Sequence, residues 1–188
     1  MTSDGKGEVG RDTPPDDAGK AQIAGKPVVC ILIVAYQSGA TLQECVDALL
    51  AQVFTDFRVR IMDNGPEGDG AVSALVRLDS RFEVVGPDHT TGFAGGNNLG
   101  AAGVTSRWLA LLNPDTIPEP DWLDELVRAA DEAGASMAGS MQLWRGHDGL
   151  LDGAGDAYHV SGIAWRGLRG RPVARAPESG ETFAPCAA

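Results

Sequence analysis

Apolar side chains recur along this chain in two alternating rhythms. Residues 28–34 form an unbroken, largely β-branched run, Val-Val-Cys-Ile-Leu-Ile-Val, the pattern of a strand covered on both faces. Leu42, Cys45, Val46, Leu49, Leu50 and Val53 then fall at helical intervals across 41–53, which predicts a helix. Residues 57–62 read as a second strand, 71–78 as a short helix and 82–85 as a third strand. The small residues of 95–102 predict a helix, and 108–112, Trp-Leu-Ala-Leu-Leu, a fourth strand. Pro118 with Glu119, Asp121 and Asp124 suits the first turn of another helix, whose apolar face is Trp122, Leu123, Leu126, Val127 and Ala130. Residues 136–140 read as a weak strand. Strands and helices alternating at this spacing predict an α/β fold, a mostly parallel sheet flanked by helices.

Ligands of such sheets bind beyond the carboxyl ends of the strands, which singles out four loops. After the first strand comes Ala35-Tyr36-Gln37-Ser38; the Tyr36 ring suits either stacking on a base or simple packing. After the second comes Asp63-Asn64-Gly65, equally good as turn chemistry and as a carboxylate accepting from a pyrimidine N3–H or a ribose hydroxyl. The third loop, Gly92-Phe93-Ala94-Gly95-Gly96-Asn97-Asn98, allows close backbone approach to a ligand at a helix N-terminus; close packing through small residues is the alternative. It is neither a dinucleotide fingerprint nor a Walker loop, since it follows the third strand and no lysine occurs after Lys26. The fourth, Leu111-Leu112-Asn113-Pro114-Asp115-Thr116, ends a buried strand. With Pro114 holding the segment extended, Asn113 and Asp115 project to one side. One carboxylate there suffices for Mg²⁺ or Mn²⁺ when a diphosphate supplies the other ligands; the same triplet also starts helices.

Composition narrows the options. The 188 residues make one domain, and the 43% hydrophobic content can fill its core. Residues 1–26 hold almost no large apolar side chain and read as a disordered tail. A net charge of -11 argues against a nucleic-acid partner, yet a bound cation would still permit a nucleotide. Cys30, Cys45 and Cys186 are odd in number and widely spaced. They read as free thiols, the first two buried, in a reducing, cytoplasmic compartment. No apolar run is long enough for a transmembrane segment and no secretory signal is present.

Taken together and in order, Val29 to Ser38, Ile61-Met62-Asp63-Asn64, Gly92 to Asn98 and Leu112-Asn113-Pro114-Asp115-Thr116 resemble the family 2 glycosyltransferases, most of all their rhamnosyltransferase-like subgroup. The resemblance runs from about Pro27 to Ala130 and more faintly to Ala188. It implies a GT-A fold and an enzyme that transfers a sugar, with inversion, from a nucleoside-diphosphate-sugar donor to a glycan or lipid-linked acceptor. The subgroup suggests a dTDP-deoxysugar such as dTDP-rhamnose, with peripheral membrane association only through the acceptor. By the same match Tyr36 and Asp63 hold the base and ribose, and Ala35, Gly92, Gly95, Gly96 and Asn97 lie at the donor. Asn113 takes the first place of the usual Asp-x-Asp, and Asp115 holds the Mg²⁺ or Mn²⁺. Gln37 stands where the family usually has Asn, and Thr90-Thr91 where it has Asn-Leu. Arg166, Arg169, Arg171 and Arg175 fit a diphosphate contact or a solvated basic loop.

On this reading residues 27–140 are the nucleotide-sugar-binding domain and 141–188 the start of an incomplete acceptor-side region. The general base of the family lies in a later segment, so the expectation is an incomplete active site, as in a truncated product, a fragment or a partial gene. The alternative is a nucleotide-sugar-binding fragment without catalysis. A Rossmann-type oxidoreductase or methyltransferase would need a Gly-rich turn directly after the first strand, and Ala35-Tyr36-Gln37-Ser38 is not one.

Overall fold

A computed structural model of the chain describes residues 26–65, 72, 79–86 and 89–185. The elements are β1 (Val29–Ala35), α1 (Gly39–Leu50), β2 (Phe57–Asp63), β3 (Phe82–Val85), α2 (Gly92–Ala101), β4 (Trp108–Leu111), α3 (Trp122–Ala133), β5 (Gln142–Leu143), β6 (Leu151–Gly153), β7 (Asp156–Tyr158) and β8 (Ala164–Arg166). The tail expected at 1–26 lies outside the described residues but for Lys26, as does Cys186. Of the helix expected at 71–78 only Val72 is described, and it is helical and buried.

The first four strands form one parallel sheet in the order β3-β2-β1-β4. All seven residues of β1 are buried, as its unbroken apolar run requires. Alternate side chains divide between the two faces. Val29, Ile31, Ile33 and Ala35 join Leu42, Cys45, Val46 and Leu49 of α1 in the main core. Leu32 and Val34 face α2, where Gly96 and Gly100 admit the helix close to the sheet. Each fully buried Ile or Leu in this core contributes roughly 1.5–3 kcal/mol relative to exposure. The two helices lie on opposite faces, as the right-handed rule for parallel crossovers requires when the chain passes from β1 to β2 in one direction and from β3 back to β4 in the other.

Three boundaries differ from expectation. The last long helix begins at Trp122, not near Pro118. Pro120 disfavours helical geometry at Glu119, so the helix starts only beyond it; Gly134, at φ 59°, closes it in the left-handed conformation. Residues 136–140 form no strand: Met137 is 70% exposed, so the segment has no apolar face to bury, and Gly139 instead abuts Pro185. The third of the four loops is not a loop, since α2 begins at Gly92 itself.

Beyond α3 the chain builds two small antiparallel pairs, β5 with β6 and β7 with β8. Arg145 ties this part to Glu44 of α1 at 2.7 Å, an exposed pair of little energetic weight.

Candidate functional site

The sheet order reverses at β1: β2 and β3 lie to one side and β4 to the other. Helices on opposite faces leave a crevice at such a point, beyond the carboxyl ends of the strands. Adjacent strands are about 4.8 Å apart, so the tips of β2 and β4 stand about 10 Å apart with the tip of β1 between them.

Ala35 ends β1 as a buried residue and brings only backbone to the edge. The next side chain, Tyr36, is 52% exposed. Its N–H donates to Ser38 Oγ at 3.1 Å, which closes a tight turn with Gln37 at φ 50°. Asp63, in register with Ala35, is buried at the end of β2 and accepts the Gly65 N–H at 3.2 Å. Asn64 is more buried still, at 3% exposure. Its N–H donates to the Ala35 carbonyl at 2.8 Å, and its Oδ1 accepts the N–H and hydroxyl of Thr91 at 2.8 and 3.0 Å. Thr91 is the residue that precedes α2, so Asn64 binds the start of that helix to the end of β2. Sequence reasoning missed this tie, because Asp-Asn-Gly reads the same whether the Asn makes a turn or reaches across 27 positions.

The glycines of α2 serve mainly packing. A Cβ on Gly96 would lie 2.9 Å from Val34 Cγ1, and one on Gly95 2.9 Å from Thr91 Cβ. Asn97 Nδ2 donates to the Phe93 carbonyl within the helix at 2.9 Å. Only Gly92, exposed and at φ 70°, has open space around it. The N-terminus of α2 nonetheless reaches the crevice edge, held there by Asn64.

After β4 the chain turns sharply. The Asn113 carbonyl accepts the Thr116 N–H at 3.3 Å and the Thr116 hydroxyl at 2.7 Å. Residues 113–116 are thus a turn with Pro114 second, the place proline favours, and not the extended segment expected. Asn113 and Asp115 therefore do not share a side by strand alternation. Asp115 is exposed and does not cap α3, which begins at Trp122 behind Asp121. Beneath this turn, burial pushes the Cys45 thiol up to about 12; Thr116 opposes the shift and the charge of Asp115 adds to it. Cys45 is therefore a packed thiol and neither a nucleophile nor a metal ligand near neutrality, and Cys30 is likewise buried and free.

Among the described residues no three His, Cys, Asp or Glu side chains cluster to hold a metal. A hard cation at this edge would have Asp115 as an open oxygen ligand and would need substrate oxygens for the rest, which suits a diphosphate. The arginines expected near phosphate divide: Arg166 and Arg169 both pair with Asp152, while Arg171 and Arg175 are exposed and unpaired among the described residues.

Residues 30–173 match the family model described as glycosyl transferase family 2. The chain is 32% identical over 114 residues to the succinoglycan biosynthesis protein ExoO of Rhizobium meliloti, covering 60% of this chain and 32% of that protein. It is 29% identical over 159 residues to the O-antigen biosynthesis protein RfbC of Myxococcus xanthus, covering 83% of this chain and 12% of that one. The chain thus spans about a third or less of these relatives. The fold is similar to that of S. aureus TarS 1-349, with a TM-score of 0.52 at 14% identity over 71% of this chain and 42% of that one. The parallel sheet with flanking helices is the expected GT-A arrangement.

Proposed function

The chain belongs to glycosyl transferase family 2, and on that premise we propose that it is the donor-binding part of an inverting glycosyltransferase acting on a nucleoside-diphosphate sugar. What carries this reading is one juxtaposition: an exposed carboxylate, Asp115, just past the strand that opens the switch point, with Tyr36 and Asp63 on the neighbouring strand tips. Tyr36 offers its ring to the base, and Asp63 accepts a hydrogen bond from a pyrimidine N3–H or a ribose hydroxyl. Asp115 would hold Mg²⁺ or Mn²⁺, which when bound would supply positive charge for the leaving diphosphate. The N–H groups at the start of α2 add a weaker attraction for the phosphates.

The relatives named for succinoglycan and O-antigen biosynthesis support a glycan or lipid-linked acceptor, which would bring the protein to the cytoplasmic face of a membrane. No described helix is long and apolar enough to cross one. A dTDP-deoxysugar such as dTDP-rhamnose is the proposed donor.

The test is a thermal-shift panel of nucleoside diphosphates with and without Mn²⁺. The expected result is a rise in Tm that requires both the metal and a pyrimidine diphosphate and disappears in Asp115→Ala. Equal response to adenine dinucleotides, or a response indifferent to Asp115→Ala, overturns the assignment. Binding without sugar transfer to any acceptor would mark the chain as a binding module.

A further inference from the structure

We infer that Asn64 is a positioning residue of this site: its backbone N–H fixes the peptide that carries Asp63 against the tip of β1, and its side chain fixes the start of α2. The inference rests on the donor-binding reading above and goes beyond it, because Asn64 is 3% exposed and lies behind the crevice edge. Its three hydrogen bonds join three elements. The backbone N–H donates to Ala35 at the end of β1, and the side-chain oxygen accepts both the N–H and the hydroxyl of Thr91 before α2.

The consequence follows from the bonding of the neighbours. Asp63 shares a peptide unit with Asn64, and that peptide's N–H is fixed on Ala35, so the plane from which the carboxylate departs cannot rotate. The carboxylate also accepts the Gly65 N–H, which sets its side-chain angle. A carboxylate that must meet a base or ribose over about 3 Å gains from such fixing, since small misplacements are costly in an oriented contact. On the α2 side, Thr91 has no side-chain bond to its own helix; its hydroxyl is spent on Asn64. The hydroxyl thus joins the helix start to β2 and does not cap the helix.

The experiment measures binding of UDP, dTDP and ADP with Mn²⁺ by calorimetry, alongside unliganded Tm, for the wild type, Asn64→Ala, Thr91→Val and Thr91→Ser. Asn64→Ala removes only the tie to α2, so it is expected to weaken binding of all three diphosphates about tenfold, the equivalent of one oriented contact. It should leave the pyrimidine-to-adenine affinity ratio within about twofold, because the backbone bonds that fix Asp63 remain. Thr91→Val removes the hydroxyl but keeps the backbone N–H, so it should weaken the same binding less, and Thr91→Ser should restore it. The double variant Asn64→Ala, Thr91→Val should be no worse than Asn64→Ala, because the two act through one tie. If Asn64→Ala does not fold, Thr91→Val against Thr91→Ser decides alone. Variants that lower Tm but bind all three diphosphates within twofold of wild type reduce Asn64 to a structural residue and overturn the inference. A wild type that binds no nucleoside diphosphate overturns the donor-binding reading itself, and this one with it.

Discussion

At the scale of single residues, the crevice edge is held by side chains working against their own preferences. Gln37 adopts φ 50° between Tyr36 and Ser38, a region where a Cβ crowds the backbone by roughly 1–2 kcal/mol and where Asn is tolerated better than Gln. The family usually carries Asn there, and the structure supplies the reason: the turn must reverse within three residues to present Tyr36 and still start α1 at Gly39. Gln37→Asn should therefore stabilise the fold by about 0.5–1 kcal/mol, read as a higher midpoint in urea without a change in slope. Diphosphate binding should be unchanged or slightly tighter. A lower midpoint would show that the Gln side chain makes a compensating contact.

At the scale of elements, α2 exchanges helix propensity for approach. Its buried positions are glycines, Gly96 and Gly100, and glycine costs an ordinary helix about 1 kcal/mol per residue relative to alanine. Here the sign reverses. A Cβ on Gly96 would meet Val34 at 2.9 Å, and one on Gly100 would meet Met62 at 3.0 Å. Val34 is β-branched and set in the central strand, so it cannot step aside, whereas Met62 is flexible. Gly96→Ala should cost about 1–3 kcal/mol by overpacking and Gly100→Ala distinctly less, in denaturant melts of the two variants. Alanine stabilising at both positions would mean that α2 rides further from the sheet.

The same helix shows where sequence alone was sufficient. β1 was legible because it is an unbroken apolar run, and burial on both faces leaves its composition little freedom. β2 and β3 open by alternating apolar with charged residues, and β4, expected to be buried, is an edge strand with Leu109 and Leu111 exposed at 44% and 50%. The start of α2 was not legible, because its anchor is a contact between Asn64 and Thr91 that no local pattern encodes. The turn at 113–116 is hidden from the sequence for a similar reason: a residue before proline favours extended geometry, but here the Thr116 side chain closes a turn on the Asn113 carbonyl. Tyr36, Asp63 and Asp115 could be nominated from sequence because the rule for parallel sheets points to strand ends. Their orientations depend on those two closures and could not.

At the scale of the whole molecule, charge is the constraint that the site must overcome. The chain carries a net charge of -11, so an anionic donor approaches against the field and a divalent cation approaches with it. Salt screens both effects over a Debye length of about 10 Å at 0.1 M, and the two respond in opposite directions. Without metal, the weak affinity for a nucleoside diphosphate should rise about twofold as NaCl goes from 20 to 200 mM, because repulsion is being screened. With the diphosphate saturating, the apparent affinity for Mn²⁺ should fall over the same range. Titration with a fluorescent nucleoside diphosphate measures both. The opposite first limb, metal-free binding that weakens steeply with salt, is the signature of phosphates held by cations of the protein. It would transfer the diphosphate from Asp115 and its metal to the exposed pair Arg171 and Arg175. The direction of one salt dependence therefore decides between the two chemistries that the sheet edge and the arginine loop offer.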